Sequence, residues 1–177
     1  MVTVEDYISQ FERVLSRCPE VGQAVSLVAA AARQHGVHML SHDDRSPEER
    51  AFYRALGVNI AEFPVTRETL DHSAAAGDVI VLGAPNVVRG GSHNGAVGAE
   101  DAVRSGSCAV LASDYYYPAP LHAALGLARR GVLSLEKAWA LISSTPATAV
   151  GLADRGRIEP GLRADLVIID SRAERAV

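Results

Sequence analysis

The segment VNIAEFPVTRETLDHSAAAGDVIVLGAP, residues 58–85, has the pattern of a complete strand–helix–strand unit. Two short runs, 58–63 and 78–85, have the length of strands and are mostly apolar, without regular alternation of apolar and polar residues. Residues 67–76 between them have helical character, and Gly77 is a typical helix stop. Continuous apolar runs are typical of parallel strands that are buried on both faces. The segment therefore predicts a β–α–β unit of a parallel sheet.

The same unit recurs on both sides of this segment. Each strand is preceded by a helix that ends at a glycine, which predicts right-handed crossovers and a parallel α/β sheet. The predicted strands are 37–41, 58–63, 78–85 and 108–113. The predicted helices are 4–17, capped by Thr3 and Asp6, then 20–35, one from Pro47 to Gly57, 67–76, 99–105, 119–130, 135–143 and 146–150. The last part, RGRIEPGLRADLVIID at 155–170, predicts a β-hairpin around a Glu-Pro-Gly turn.

Composition excludes several classes of protein. The chain has 177 residues, 48% of them hydrophobic, and a net charge of -4 with no run of basic residues, so we expect no nucleic-acid partner. No apolar stretch reaches the length of about 20 residues that spans a membrane, so we expect no membrane partner. The acidic, amphipathic N-terminus is unlike a signal peptide, and we expect a cytoplasmic protein. Cys18 and Cys108 lie in apolar surroundings and are predicted to be buried free thiols.

Three side chains at predicted strand ends could bind a metal. His42, Glu62 and Asp114 each lie at the end of an apolar strand, and the carboxyl ends of parallel strands meet at one edge of a sheet. Imidazole and carboxylate groups that converge in this way suit a divalent metal. Taken singly, each residue has a simpler interpretation: a cap or solvated loop for His42, a solvated or salt-bridged side chain for Glu62, and a turn for Asp114.

The stretch GAPNVVRGGSHNGAVG, residues 83–98, is unusually rich in glycine. Glycines let backbone N–H groups approach a ligand, and a nearby arginine can grip a phosphate with two hydrogen bonds. We therefore consider Asn86, Arg89, Gly90 and Gly91 as substrate-binding residues. His93 could bind a metal or donate a proton to a leaving oxygen, and we favour the second role. A flexible connection is the alternative. The stretch matches neither GxGxxG nor GxxxxGK[ST], so it does not indicate those nucleotide-binding loops.

Several motifs together resemble a known family, and the resemblance covers nearly the whole chain. They are SHDD at 41–44, EFPVT at 62–66, GAPNVVRGGSHNG at 83–95, SDYYYP at 113–118 and TPATAVGLADRGRIEPGLRADLVIID at 145–170. The set resembles the metal-dependent diphosphatases of phosphonate catabolism, in the carbon–phosphorus lyase pathway, within the amidohydrolase superfamily. The C-terminal motif is common to many amidohydrolases, whereas the arginine-bearing glycine stretch and EFP narrow the resemblance to the diphosphatases.

The resemblance implies an α/β fold, the C-terminal half of a (β/α)8 barrel over 1–151, followed by strands of a small β-sandwich over 152–177. It implies that His42 is a metal ligand, that Asp114 is both ligand and proton acceptor, and that Glu62 stands where many amidohydrolases have a histidine ligand. Arg89 and His93 would face a triphosphorylated ribose phosphonate, from which pyrophosphate is released. The implied cofactor is a divalent metal, zinc or manganese. The tyrosines at 115–117 are expected to pack against the following helix.

One departure from the family is large. The first-strand His-x-His motif and the first four strands have no counterpart, and a whole barrel takes about 250 residues. We therefore expect the chain to need an N-terminal half or a homo-oligomer, and to be inactive alone. Two other functions stay open. One is a generic amidohydrolase that acts on a cyclic amide or as a deaminase, and the other is a non-catalytic half-barrel that serves as a partner subunit.

Overall fold

The computed structural model describes residues 2–90 and 97–170, with the backbone of a short strand at 175–176. The chain divides into two compact units, Met1–Met39 and Leu40–Val177. Among the described residues, no helix is long and apolar enough to cross a membrane. The predicted boundary between residues 151 and 152 stays a prediction.

The first unit consists of two helices joined by a 3-10 turn. They are α1 (Val4–Leu15) and α2 (Val21–Gln34), with the turn at Cys18–Glu20. The capping box forms as predicted: Asp6 N donates to Thr3 Oγ1 at 3.1 Å, and Thr3 N donates to Asp6 Oδ2 at 3.0 Å. The prediction that both cysteines are buried is wrong for Cys18, which is exposed on this small unit. Cys108 is buried in the second unit, and burial raises the pKa of its thiol to about 12.

The second unit contains a four-stranded parallel sheet with helices between its strands. The strands are β1 (Leu40–His42), β2 (Ile60–Glu62), β3 (Val79–Gly83) and β4 (Val110–Ala112), and they are ordered as in the sequence. The helices up to β4 are α3 (Pro47–Ala55), α4 (Arg67–Ala75), α5 (Ala84–Arg89) and α6 (Ala99–Arg104). After β4 come α7 (Ala119–Arg129), α8 (Leu135–Ala140) and α9 (Ser144–Ala149). The predicted parallel α/β sheet is confirmed.

Both faces of the sheet carry buried apolar side chains. One face and the helices share the larger core cluster, which includes Ala61, Leu70, Ile80, Leu82, Leu111 and Leu127. The opposite face carries a smaller cluster of Ile60, Val81 and Val110. The two sets alternate along each strand, because neighbouring residues of a strand point to opposite faces. Burial on both faces explains why the strands have continuous apolar sequences.

The glycine-rich stretch begins with a helix, which the sequence analysis did not predict. Residues Ala84–Arg89 form α5 directly after β3, with Pro85 in the first turn, where its missing N–H costs nothing. Gly90 then takes a left-handed conformation with φ +76°, which ends the helix. Arg89 is therefore held at the end of a helix instead of in a loop.

The C-terminal hairpin and the β-sandwich are not confirmed. The Glu-Pro-Gly turn is present, since Leu162 N donates to Glu159 O at 3.2 Å and Gly161 has φ +89°. However, no strand lies between residues 152 and 168, all of which the structure describes. The antiparallel pair that does form joins β5 (Ile169–Asp170) to β6 (Arg175–Ala176), further along the chain.

Candidate active site

The carboxyl ends of the four strands meet at one edge of the sheet. The parallel register pairs His42 with Glu62 in β1 and β2, and Gly83 with Ala112 in β3 and β4. Asp114 follows β4 by two residues, and α5 begins directly after β3. The polar residues predicted from strand ends are therefore delivered to the same edge.

His42 and Glu62 form a facing pair. His42 Nε2 lies 3.9 Å from Glu62 Oε2, and His42 Nδ1 lies 3.3 Å from Asp43 Oδ2. The His42 side chain is exposed, whereas that of Glu62 is partly buried. One imidazole nitrogen thus faces the neighbouring strand and the other faces a carboxylate, an arrangement that also orients metal-binding histidines in proteins.

Both strands end in the same unusual backbone conformation. Asp43 has φ 59° and Phe63 has φ 53°, which is uncommon for residues other than glycine. Each residue nevertheless continues the ladder: Asp43 N donates to Glu62 O at 3.0 Å, and Phe63 N donates to Val81 O at 3.0 Å. Strained backbone of this kind concentrates at functional sites. Here it directly follows the two candidate ligands.

Phe63 is a site residue that the sequence analysis missed. Its ring meets the His42 ring edge to face, with 5.2 Å between the ring centres and an angle of 89° between the planes. The same side chain lines the cavity that lies beside β3 and β4. Its place in the EFPVT motif was the available signal, since a bulky residue directly after a candidate ligand can pack against that ligand.

This cavity, which we call the edge cavity, has a volume of about 210 Å³. It is lined by Phe63, Gly83, Pro85, Asn86, Ala112, Ser113, Asp114 and Tyr115. Asp114 therefore shares a cavity with Asn86, one of the predicted substrate-binding residues. Within the described ranges no group of three or more His, Cys, Asp or Glu side chains is arranged to hold a metal ion. The structure thus pairs His42 with Glu62 and leaves the convergence of Asp114 on them as a prediction.

Arg89 reaches two neighbours at this edge. Its Nη2 donates to Asn86 Oδ1 at 3.3 Å and to the Tyr115 hydroxyl at 3.2 Å. Asn86 and Tyr115 both line the edge cavity, so the guanidinium lies beside that cavity. The adjoining Gly90 has open space where a Cβ would stand. Gly91 and His93 lie outside the described residues, and their predicted roles stay predictions.

The three tyrosines after β4 have different surroundings. Tyr116 stacks on His122 of α7, with ring centres 6.4 Å apart, as expected for packing on the following helix. Tyr115 is instead 66% exposed and accepts the hydrogen bond from Arg89, and Tyr117 is 91% exposed. The expectation that all three pack against α7 is therefore wrong for Tyr115 and Tyr117. Sequence alone could not distinguish three identical neighbours.

A buried arginine secures the backbone around His42. Arg50 of α3 is fully buried and donates to Ser41 Oγ, Asp44 Oδ2 and Asp78 Oδ2, the last two at 3.2 Å and 2.9 Å. Ser41 Oγ also donates to Asp44 Oδ2 at 2.6 Å. Residues on both sides of His42 are thus tied to one guanidinium. We refer to Ser41, Asp44, Arg50 and Asp78 as the Arg50 cluster.

A larger cavity, of about 360 Å³, lies near α9 and offers fewer groups that could bind or activate a substrate. Its lining is mostly apolar, and its two charged residues are each paired: Arg155 with Asp154 at 2.9 Å and Asp165 with Arg163 at 3.2 Å. Its lining residues come from 143–165 and include none of the strand ends that carry His42, Glu62 or Asp114. The edge cavity is therefore the better candidate for chemistry.

Comparison with known proteins gives two matches. Residues 111–177 match the model of the amidohydrolase family. Over 143 residues, 80% of this chain, the sequence is 41% identical to the alpha-D-ribose 1-methylphosphonate 5-triphosphate diphosphatase of Escherichia coli (strain K12). The match spans 38% of that relative's length. The resemblance drawn from the motifs is confirmed as a partial match to a longer enzyme.

Proposed function

Given this partial likeness to an amidohydrolase-family diphosphatase, we propose that the chain carries one half of the active site of a metal-dependent phosphoanhydride hydrolase. The proposed reaction is release of pyrophosphate from alpha-D-ribose 1-methylphosphonate 5-triphosphate, in phosphonate catabolism. The observation that supports it best is the edge of the sheet, where the facing pair of His42 and Glu62 lies at the same edge as Arg89 and its partners Asn86 and Tyr115. A hydrolase that acts on a phosphate chain needs both kinds of group.

The donor set suits the proposed metal. An imidazole nitrogen and a carboxylate oxygen 3.9 Å apart are groups that bind zinc or manganese, and Asp114 is proposed as a further ligand. When bound, such a metal would lower the pKa of a water molecule to about 7 and so make hydroxide available at neutral pH. The chain's own contribution is to hold His42, through the Arg50 cluster and the Phe63 ring, in one orientation.

The remaining residues have proposed roles in the displacement. Water attacks the α phosphorus, the bond from that phosphorus to the bridging oxygen breaks, and pyrophosphate leaves with the electron pair. Asp114 accepts the proton of the attacking water, and His93 donates a proton to the leaving oxygen. Arg89, with the predicted backbone N–H of Gly91, stabilises the charge that develops on the phosphate oxygens. The N–H of Gly90, the other predicted donor, is already used in α5, where it donates to Asn86 O. Asn86 holds Arg89 in place through its side-chain oxygen.

A complete site needs more than these 177 residues. The family barrel takes about 250 residues, and this chain matches 38% of the length of its relative. We propose that an N-terminal half, or a second copy of the chain, supplies the missing strands and ligands. The segment of the Escherichia coli relative that the match does not cover is a suitable source of such a half.

The test is an assay of pyrophosphate release, for the chain alone and for the chain co-expressed with that N-terminal segment. We expect release only from the combined protein, and its loss in Asp114→Asn. Release of ammonia from cyclic amides or amino-substituted bases, without release of pyrophosphate, would favour a generic amidohydrolase. Stable association without either activity would identify a non-catalytic partner subunit and contradict the proposal.

A further inference from the structure

We propose that Tyr115 is a positioning residue of the anion site. It holds the Arg89 guanidinium beside the edge cavity, and its own hydroxyl donates a hydrogen bond to a bound phosphate. This inference rests on the function proposed above and deepens it, since it adds a residue that the motifs did not assign. It concerns how the phosphate chain is bound and leaves the metal out of account.

The hydrogen bonds around Arg89 leave suitable donors free. Nη2 uses its two N–H groups on Asn86 Oδ1 and the Tyr115 hydroxyl, at 3.3 Å and 3.2 Å. A guanidinium has five N–H groups, and among the described residues none accepts from Nη1 or Nε, so these remain for a ligand. A tyrosine hydroxyl that accepts one hydrogen bond still has its own proton to donate. Arg89 and Tyr115 together therefore present donors from two adjacent side chains.

Arg89 differs from other arginines of the described chain in its partners. Within the described part of the chain Arg89 has no carboxylate partner, whereas Arg104 and Arg130 both pair with Glu100, and Arg67 pairs with Asp71. Its two partners, an amide oxygen and a phenol, are both neutral. An arginine held by neutral groups keeps its full charge for an anion, and its planar fork matches phosphate oxygens.

The edge cavity limits the size of the organic group that a bound phosphate compound can carry. Apolar atoms of Phe63, Pro85, Ala112 and Tyr115 form much of the wall, and the volume of about 210 Å³ lies below the range of about 300–1,000 Å³ typical of drug-sized ligands. The carboxylate of Asp114 is in the same cavity and repels a phosphate. The phosphate chain therefore belongs at the Arg89 side, with a small organic group of the ligand towards the cavity wall. This describes a phosphoanhydride or phosphate ester of a small, sugar-sized molecule.

The chain contains its own matched control. Tyr117 is two residues from Tyr115 and is almost fully exposed, and no hydrogen bond of its hydroxyl is found among the described residues. Tyr115→Phe and Tyr117→Phe each remove one exposed hydroxyl and leave the ring. A difference between these two variants therefore reports the contact with Arg89 and the ligand.

The experiment is calorimetric titration of the 177-residue chain with inorganic tripolyphosphate, which carries the phosphate chain without the organic group. We expect Tyr115→Phe to weaken binding about 10-fold, because a hydrogen bond to a charged group is lost. We expect Tyr117→Phe to bind as the wild type does, and Arg89→Gln to lose more affinity than Tyr115→Phe. Zinc titration of the same variants should be unchanged, which separates a local effect on the anion from a general loss of structure.

The outcomes distinguish this inference from the proposed function. If Arg89→Gln weakens binding and Tyr115→Phe behaves like Tyr117→Phe, the role of Tyr115 is wrong and the proposed function stands. If Arg89→Gln binds as tightly as the wild type, both the inference and the assigned anion grip are wrong. A wild-type chain that binds no tripolyphosphate overturns the inference alone, because the proposed reaction is judged by pyrophosphate release.

Discussion

The imidazole of His42 and the carboxylate of Glu62 face each other across two adjacent parallel strands, with 3.9 Å between Nε2 and Oε2. The pairing follows from the register, which sets these two residues directly opposite one another at the last position of β1 and β2. The backbone turns to positive φ immediately afterwards, at Asp43 and Phe63. Two candidate metal ligands thus lie at the ends of adjacent strands. The chain changes direction directly after each of them.

This geometry predicts weak but specific metal binding. Two donors leave most of the coordination shell to water, so zinc or manganese should bind the isolated chain weakly. Glu62→Gln should lower the affinity by a further factor of about 10 or more, because a neutral amide replaces a charged ligand. Calorimetry measures both values, and Glu68→Gln, on the exposed first turn of α4, is the control. A tight stoichiometric site that is lost in Asp114→Asn would contradict the prediction.

The Arg50 cluster predicts a large loss of stability in Arg50→Met. This substitution leaves the carboxylate of Asp44, only 1% exposed, without its positive partner, whereas Asp78, 3% exposed, keeps the ion pair with Arg54. Breaking a buried ion pair from one side costs roughly 3–5 kcal/mol of the free energy of unfolding. Arg67→Met, which breaks the exposed pair with Asp71, should cost less than about 0.5 kcal/mol. Urea unfolding of both variants checks the contrast, and equal losses would show that the cluster is not a stabilising element.

Local sequence signals predicted the sheet and its helices. Thr3 and Ser46 are N-caps whose side chains accept backbone N–H groups three residues later, and Gly36, Gly57 and Gly77 follow helix ends with positive φ. Such signals act within one turn, so they can be recognised without knowledge of the rest of the fold. The continuous apolar runs predicted the strands, and the recurring order of helix and strand predicted that the strands are parallel.

What the sequence did not predict depends on neighbours that are distant along the chain. The contact of Arg89 with Tyr115 joins residues 26 positions apart, and the contact of Phe63 with His42 joins the residue after β2 to the last residue of β1. The Glu-Pro-Gly turn formed without its predicted hairpin, because a turn needs only its own residues whereas strands need partners. The helix over Ala84–Arg89 was hidden by the glycines that follow it.

Glu100 predicts a stability difference that depends on pH. Burial raises the pKa of its carboxyl, but hydrogen bonds from Arg104 and Arg130 outweigh burial and hold the pKa below the ordinary value. A lowered pKa in the folded state stabilises the fold above the unfolded-state pKa of about 4.3, and this stability is lost as the pH falls through the folded-state value.

Glu100→Gln should therefore lower the free energy of unfolding by at most about 1 kcal/mol at pH 7, since its partners are partly exposed. The difference from the wild type should shrink below about pH 4.3. Chemical unfolding at pH 7, 5 and 3.5 measures it. Glu159→Gln, at the exposed pair with Arg157, is the control, and a difference that grows towards acid pH would contradict the expected sign.

Gly156 predicts a steric effect that can be separated from backbone strain. Gly156 and Gly161 have nearly the same positive φ, +87° and +89°, so alanine is strained at both, by roughly 1–3 kcal/mol. A Cβ at residue 156 would also lie 2.9 Å from the Cα of Ser144, whereas a Cβ at residue 161 meets nothing within 4 Å. Gly156→Ala should therefore cost about 1–3 kcal/mol more than Gly161→Ala in urea unfolding. Equal costs would show that the backbone at residue 156 does not pack against α9.

The two outer strands of the sheet, β1 and β4, differ in how well their backbone groups are paired. On the outer side of β4, Leu111 N donates to Leu141 O at 2.9 Å, so this strand is partly paired there. The opposite outer strand, β1, has a strand neighbour on one side only among the described residues, and its Leu40 is 52% exposed. Exposed apolar edge strands favour pairing with another chain.

We therefore predict that the 177-residue chain associates at micromolar concentration instead of remaining a monomer. Covering about 200 Å² of apolar surface contributes about 5 kcal/mol, which is comparable with the whole stability of a small domain. Leu40→Lys should weaken association, because a charge on an edge strand opposes pairing, while Leu135→Lys on α8 should leave it unchanged. Sedimentation velocity over a range of concentrations measures this. If Phe11→Lys on the exposed apolar face of α1 dissociates the chain and Leu40→Lys does not, the contact lies on α1 and the assignment to β1 is wrong. A monomer that melts cooperatively at every concentration would show that the open edge of β1 does not drive association.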